Sequence, residues 1–266
     1  MSMGNERINV EMIAEKELFP DVFRSALMKD GVKVGKDMFS RRFKFENGSC
    51  MGAVGGVNAG NALYAIKKLV FDDKKYTMEE LMKALDADWV GYEAMQKDFK
   101  DAPKYGNAIK EVDDLVAEVY QLFADTCMSL PSAYGDSLKP NAISISAHQP
   151  GGALTGATAD GRKGGEILAD ASLSPDHGQD THGPLAVFRS AMEVDQDPYQ
   201  GTLMNMKFHP SNMKSEDDLK KLGSMIKTYL THGGKHIQFN VVDSKLLKKA
   251  QSNPENYRDL MVRVAG

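Results

Sequence analysis

The sequence predicts an α/β protein in which helices pack in layers on short, parallel-paired strands. Apolar residues recur at helical spacing over 109–127 and again over 215–230. Lys235 to Val242, in contrast, is β-branched and aromatic, as a buried strand should be. Helical patterns alternating with short buried strands call for parallel pairing, because a parallel strand needs a long crossover to return.

The elements follow in order. Thr77 and Glu80 form a capping-box pattern ahead of Leu81, Leu85 and Trp89, which marks a helix start. A second helix is expected from about Ile109 to Cys127, with Val112, Leu115, Val116, Val119, Leu122 and Phe123 as its core-facing stripe. Leu130-Pro131-Ser132 ends it, since proline lacks the amide hydrogen a continuing helix needs. A third helix runs from about Ser215 to Leu230, carries Leu219, Leu222, Met225, Ile226 and Tyr229 on one face, and stops at Gly233-Gly234. After the Lys235–Val242 strand come a short helix near Ser244 to Gln251, a turn capped by Asn253 with Pro254 at its first position, and an apolar strand from Leu260 to Val264. Between Ser144 and Ser190 the chain is rich in Gly, Asp, Ser and Pro without periodicity, the mark of either a functional loop or a disordered stretch.

Composition excludes several functions. The net charge is −4, and lysines and arginines are interspersed with acids, so no basic stripe recommends nucleic acid. No apolar run approaches a membrane span, and the N-terminus lacks the apolar core of a signal peptide, so a cytoplasmic location is expected. The two cysteines, Cys50 and Cys127, form no CxxC, which suits a reducing compartment.

Four candidate sites can be weighed and set aside. Gly52 to Gly60 is glycine-rich but has neither G-x-G-x-x-G nor a Lys-Ser/Thr ending, so phosphate binding is not expected. His232 and His236 have a metal-like spacing, yet Gly233-Gly234 breaks the helix that would align them, and no zinc or other metal is expected. His177 and His182 read as loop histidines. Cys50 reads as a small buried hydrophobe rather than a reactive thiol.

Several ordered blocks carry the chemistry. They are Ala65 to Phe71, Asp101-Ala102-Pro103-Lys104-Tyr105-Gly106-Asn107, Thr155-Gly156-Ala157-Thr158-Ala159-Asp160-Gly161-Arg162 with Leu168 to Pro175, Gly201 to Phe208, His236 to Asp243, Ser252 to Leu260, and the closing Arg263-Val264-Ala265-Gly266. From about Phe23 to the end the chain resembles the glycyl radical enzymes, the group of pyruvate formate-lyase and its relatives. Two departures stand out: Ala108 where an aspartate is usual, and Ala159 where a proline is usual.

The resemblance implies that Gly266 is the catalytic glycine that carries a stable backbone radical. Glycine suits that role because a radical at an α-carbon is delocalised only if the centre can flatten, which a side chain would obstruct. It also implies a ten-stranded α/β barrel of which this chain supplies the C-terminal half, with residues 1–140 in the barrel domain and 141–266 in a glycine radical domain. A radical S-adenosylmethionine activating enzyme would install the radical, the full-length enzyme would be a homodimer, and no metal or nucleotide would bind this chain. The family's thiyl cysteine lies in a G-C-x-E type loop, whereas Cys50 is followed by Met51-Gly52, so the working cysteine is expected outside this chain. The expected function is therefore that of a fragment of an anaerobic lyase, decarboxylase or radical addition enzyme, inactive alone, with the missing N-terminal barrel half as its complement. The small apolar residues of 47–61 would suit an arylacetate or hydrocarbon substrate better than a polyol. An accessory radical-carrying subunit that docks on a partner enzyme, or a non-catalytic remnant, are the alternatives.

Overall fold

A computed structural model describes residues 2–38, 50–133 and 137–258. The chain divides into two compact units, one of residues 1–51 with 123–141 and one of residues 52–122 with 142–266.

The first unit contains α1 (Ser2–Leu18), α2 (Val22–Leu27), α3 (Gly31–Val34), most of β1 (Cys50–Gly52) and β2 (Lys139–Asn141), the two strands forming one small sheet. Asp21 caps α2, its carboxylate accepting from the Arg24 amide at 2.9 Å. Asn9 on α1 donates to the Pro131 carbonyl at 3.1 Å and accepts from the Ala133 amide at 2.7 Å, so one side chain satisfies two backbone groups of the 131–133 segment.

The second unit holds α4 (Gly56–Ile66) running into a π-helical turn (Lys67–Asp72), then α5 (Met78–Asp86), α6 (Glu93–Asp101) and the first two-thirds of α7 (Lys110–Ser129). There follow α8 (His148–Ala153), α9 (Pro184–Glu193), β3 (Met204–Phe208), α10 (Glu216–Thr231), β4 (Ile237–Val241) and α11 (Ser244–Ser252). The strands β3 and β4 pair in parallel from Met204 opposite Ile237 to Phe208 opposite Val241, with α10 as the crossover. Ala142 and Ser172 extend that sheet by single parallel bridges to Thr202 and Leu203. The α/β layering with parallel pairing is thus present; the described residues contribute four strands, in two two-stranded sheets.

The capping box at Thr77 starts α5 as its sequence requires: Glu80 N–H donates to Thr77 Oγ1 at 3.2 Å, and Thr77 N–H donates to Glu80 Oε2 at 2.8 Å. Trp89 does not continue that helix. Asp88 and Trp89 adopt left-handed φ of 50° and 65°, which turns the fully buried indole inward to pack on Phe99 of α6 with ring centroids 5.6 Å apart. On α7 the buried stripe is Val112, Val116, Tyr120, Ala124 and Cys127, while Leu122 is 69% exposed and stands outside it. The third helix begins at a second capping box, Ser215 with Asp218, and ends where Gly233 turns left-handed at φ 89°.

The glycines of 52–60 serve packing. A methyl group on Gly60 would stand 2.8 Å from Val116 Cα, and one on Gly56 would stand 2.7 Å from the Tyr120 ring. Two glycines one helical turn apart let α4 lie directly against α7.

Candidate functional site

Gly266, with the whole segment from Asp259 onward and the expected Leu260–Val264 strand, lies outside the described residues. The structure does show what the other family-like blocks do, and all of those described lie in the second unit.

The Thr155–Arg162 block is a knot tied by one arginine. Arg162 is 5% exposed, and its guanidinium donates to the carbonyls of Glu166 at 2.6 Å and Thr155 at 3.1 Å, to the Gly156 carbonyl, and from Nε to Thr158 Oγ1 at 3.2 Å. A planar fork with five donors is the side chain able to hold so many backbone oxygens at once. Asp160, equally buried, accepts from Asn58 Nδ2 at 2.8 Å, and Asn58 in turn accepts from the Ala169 amide at 2.8 Å. Trp89 Nε1 donates to the Arg162 carbonyl at 3.1 Å. Gly161 is obligatory: its φ is +94°, and a Cβ would stand 2.8 Å from the Lys100 amide nitrogen.

The Ala102–Ala108 block is a second clamp. Lys104 is buried and donates to the carbonyls of Phe99 at 2.7 Å and Ala102 at 2.9 Å, and burial pulls its ammonium down to about 8. Asn107 donates to the Gln179 carbonyl at 2.7 Å and accepts from Thr181 Oγ1 and the His182 amide, so it fixes the 179–182 loop. Ala108 sits at φ 56°, and its amide donates to Ser190 Oγ, which donates to Asp113 Oδ2 at 2.9 Å. Asp113 is buried on α7 with its other oxygen unpartnered among the described residues, and burial pushes its carboxyl up to about 6.

The Leu168–Pro175 block carries two consecutive buried non-glycine residues in left-handed conformation, Ala171 at φ 58° and Ser172 at φ 85°. Hydrogen bonds hold them there: Ser172 Oγ to the Ala53 carbonyl at 2.8 Å, Tyr120 Oη to the Ser172 carbonyl, and Leu173 N–H to the Leu203 carbonyl at 3.0 Å. The strained turn delivers Asp170 and Ser174 to β3, where they take the Asn205 side-chain and backbone N–H groups at 3.2 and 2.9 Å. Between these loops opens a cleft of about 370 Å³ lined by Lys100, Asp160, Arg162, Glu166, Asp176 and His177.

The sequence candidates set aside above fall as follows. His232 and His236 are exposed, and no group of three or more His, Cys, Asp or Glu side chains able to hold a metal occurs among the described residues. His182 Nδ1 bonds the Asn107 carbonyl at 2.9 Å, a structural tie. Cys50 is exposed on β1, contrary to its expectation as a buried hydrophobe; Cys127 is the buried one. Sequence reading missed two polar groups, Asp113 and His148, both of which are buried. Asp113 is the i+1 neighbour of a stripe residue and gave no periodic signal, and His148 lay in the aperiodic region. No helix among the described residues is long and apolar enough to cross a membrane.

The comparisons with known proteins agree with this frame. The pyruvate formate lyase-like family model matches residues 2–152 and the glycine radical model matches residues 169–266. The chain belongs to the pyruvate formate lyase-like family and carries a glycine radical domain. It is 36% identical to indoleacetate decarboxylase of Tractidigestivibacter scatoligenes over 97% of this chain and 32% of that protein. It is 35% identical to trans-4-hydroxy-L-proline dehydratase of Clostridioides difficile, again over 97% of this chain and 32% of the relative. Among solved structures, the B12-independent glycerol dehydratase of Clostridium butyricum superposes with a TM-score of 0.89 at 40% identity, covering 97% of this chain and 33% of that one. The chain spans about a third of the length of the curated relatives it matches.

Proposed function

We propose that this chain is the radical-storing part of an anaerobic, cytoplasmic glycyl radical lyase. In this reading Gly266 holds the backbone radical, and a cysteine outside the chain receives it as a thiyl that acts on substrate. The single observation that carries the reading is the glycine radical match, which runs through to Gly266 at the end of Arg263-Val264-Ala265. The partners that go with it are a radical S-adenosylmethionine activating enzyme, the barrel half that this chain does not supply, and a second copy of the full-length enzyme. The division into a barrel part at 1–140 and a radical domain at 141–266, with the chain as the C-terminal half of a ten-stranded barrel, belongs to the same proposal.

The relatives and solved neighbours include both decarboxylases and dehydratases at similar identity, so the proposal stops at lyase chemistry on a small organic substrate. The apolar-substrate preference drawn from 47–61 loses its ground within the described part of that stretch, because Val57, Asn58 and Asn61 are buried and Gly60 seats α4 on α7. What the described residues of this chain do is positional. Arg162, Asn58 and Asn107 hold the 155–182 loops by hydrogen bonds to backbone, Asp160 anchors Asn58, and Lys104 ties the 99–102 turn.

The test is oxygen sensitivity of the activated full-length protein. Exposure to air should cut the chain next to Ala265, releasing a fragment whose mass ends there, and Gly266→Ala should remain whole. Cleavage at another residue, or in the variant, would exclude Gly266 as the radical site.

A further inference from the structure

The tyrosines of the second unit differ in what their hydroxyls touch. Tyr105, Tyr120 and Tyr199 donate to the backbone carbonyls of Leu173, Ser172 and Tyr120, and Tyr229 donates to the amide oxygen of Gln196. Carbonyl and amide oxygens accept a hydrogen bond but do not take up a proton near neutral pH. A phenol held that way cannot lose its proton, so removing an electron from it is strongly disfavoured. Tyr64 and Tyr76 are different, because their hydroxyls donate to carboxylates, Glu111 Oε2 at 3.3 Å and Asp98 Oδ2, and of the two it is Tyr76 whose ring packs on Phe99.

Tyr76 also stands at the end of an aromatic row. Fully buried Trp89 packs on Phe99 at 5.6 Å between ring centroids, and Phe99 packs on Tyr76 at 6.0 Å. Trp89 Nε1 donates to a backbone carbonyl, that of Arg162, so an oxidised indole has no base to take its proton and remains a strongly oxidising radical cation. At the other end Lys75 Nζ lies 2.6 Å from Asp98 Oδ2 and holds the carboxylate in place and ionised. Burial and the Asp98 bond push the Tyr76 phenol up to about 12, and the Lys75 and Tyr76 bonds hold Asp98 below its ordinary range, so the resting pair is phenol and carboxylate. Asp98 is partly exposed, which places this end of the row at solvent.

We propose that Trp89, Phe99 and Tyr76 form an exit path for oxidising equivalents, with Tyr76 the redox-active end and Asp98 its proton acceptor. The step balances without a bound cofactor. An electron passes from Tyr76, across the Phe99 contact, to the oxidised indole, which returns to its closed-shell form. The phenol proton moves from Tyr76 Oη to Asp98 Oδ2, leaving a neutral tyrosyl radical beside a neutral carboxylic acid. The initial oxidant is any one-electron acceptor that takes an electron from Trp89. This proposal does not depend on Gly266.

Trp89 is the single tryptophan of the chain, so the hole can be placed by light. A laser flash at a wavelength absorbed by indole alone, with nitrate in solution to capture the ejected electron, creates the indole radical in the 266-residue chain. The indole absorption should then decay with a matching rise of tyrosyl absorption, more slowly in heavy water. Tyr76→Phe should abolish the tyrosyl signal and prolong the indole radical. Asp98→Asn should slow the transfer by about a hundredfold, the loss of a positioned base. Tyr92→Phe is the control, since Tyr92 packs on the same cluster without a carboxylate partner among the described residues, and it should change nothing. Unchanged kinetics in Tyr76→Phe, or loss of the signal in Tyr92→Phe instead, would overturn the proposal. Circular dichroism of each variant identifies loss of fold, and the isotope effect separates proton transfer from packing.

Discussion

Asp113 shows how a single buried carboxylate costs stability where its sequence context gives no warning. It sits one residue past Val112 on α7, receives Ser190 Oγ at one oxygen, and leaves the other without a partner among the described residues. Its folded-state value of about 6 exceeds the ordinary 3.8, so the folded chain binds the proton more tightly than the unfolded one. The stability tied to that proton is present below the unfolded value and is lost as pH rises through about 6. Asp113→Asn keeps an oxygen for Ser190 and removes the buried charge. It should raise stability above pH 7 by about 1–2 kcal/mol and have little effect near pH 4, as read from denaturant midpoints at the two pH values. A gain that is the same at both pH values would show that charge is not the cause. Lys104 and Asn107 were legible as part of a family-like block, but their work, holding carbonyls and the 179–182 loop, required the folded loops to be seen.

Among elements, the helices whose start signals are local were readable and those bent by packing were not. The Thr77–Glu80 and Ser215 caps, the Ser244 helix and the β4 strand fall where propensity and capping put them. Trp89 leaves α5 because two left-handed residues turn it into the Phe99 contact, a tertiary demand that no window of sequence contains. The Gly52–Gly60 stretch is ambiguous in sequence because glycine serves close helix packing and phosphate loops alike. Its meaning becomes clear only when Val116 is seen against Gly60. Two glycine substitutions separate these roles. Gly60→Ala should destabilise the chain by about 1–3 kcal/mol through overpacking on α7. Gly223→Ala, in the middle of α10 with open space around its Cα, should stabilise by about 0.5–1 kcal/mol through helix propensity. If both substitutions shift the thermal midpoint in the same direction, the close approach of α4 and α7 is not what Gly60 provides.

At the scale of the molecule, the family was legible because its blocks occur in order along nearly the whole chain; the pyruvate formate lyase-like and glycine radical matches, over residues 2–152 and 169–266, take in those blocks except Thr155–Arg162 and Leu168, which fall between them. The barrel was not legible as geometry: four short described strands in two sheets do not define ten, and the chain spans about a third of its relatives. The chain alone should turn over no candidate substrate after activation, since the family's cysteine motif is absent from its sequence. Turnover by the isolated chain would place the working thiol at Cys50 or Cys127. The central claim, that Gly266 stores the radical, is tested most directly by electron paramagnetic resonance of the full-length protein after anaerobic activation. The account predicts a doublet, split by the single remaining α-hydrogen of Gly266, that collapses to a singlet when the α-position is deuterated and vanishes in Gly266→Ala. A doublet that survives in Gly266→Ala would contradict it.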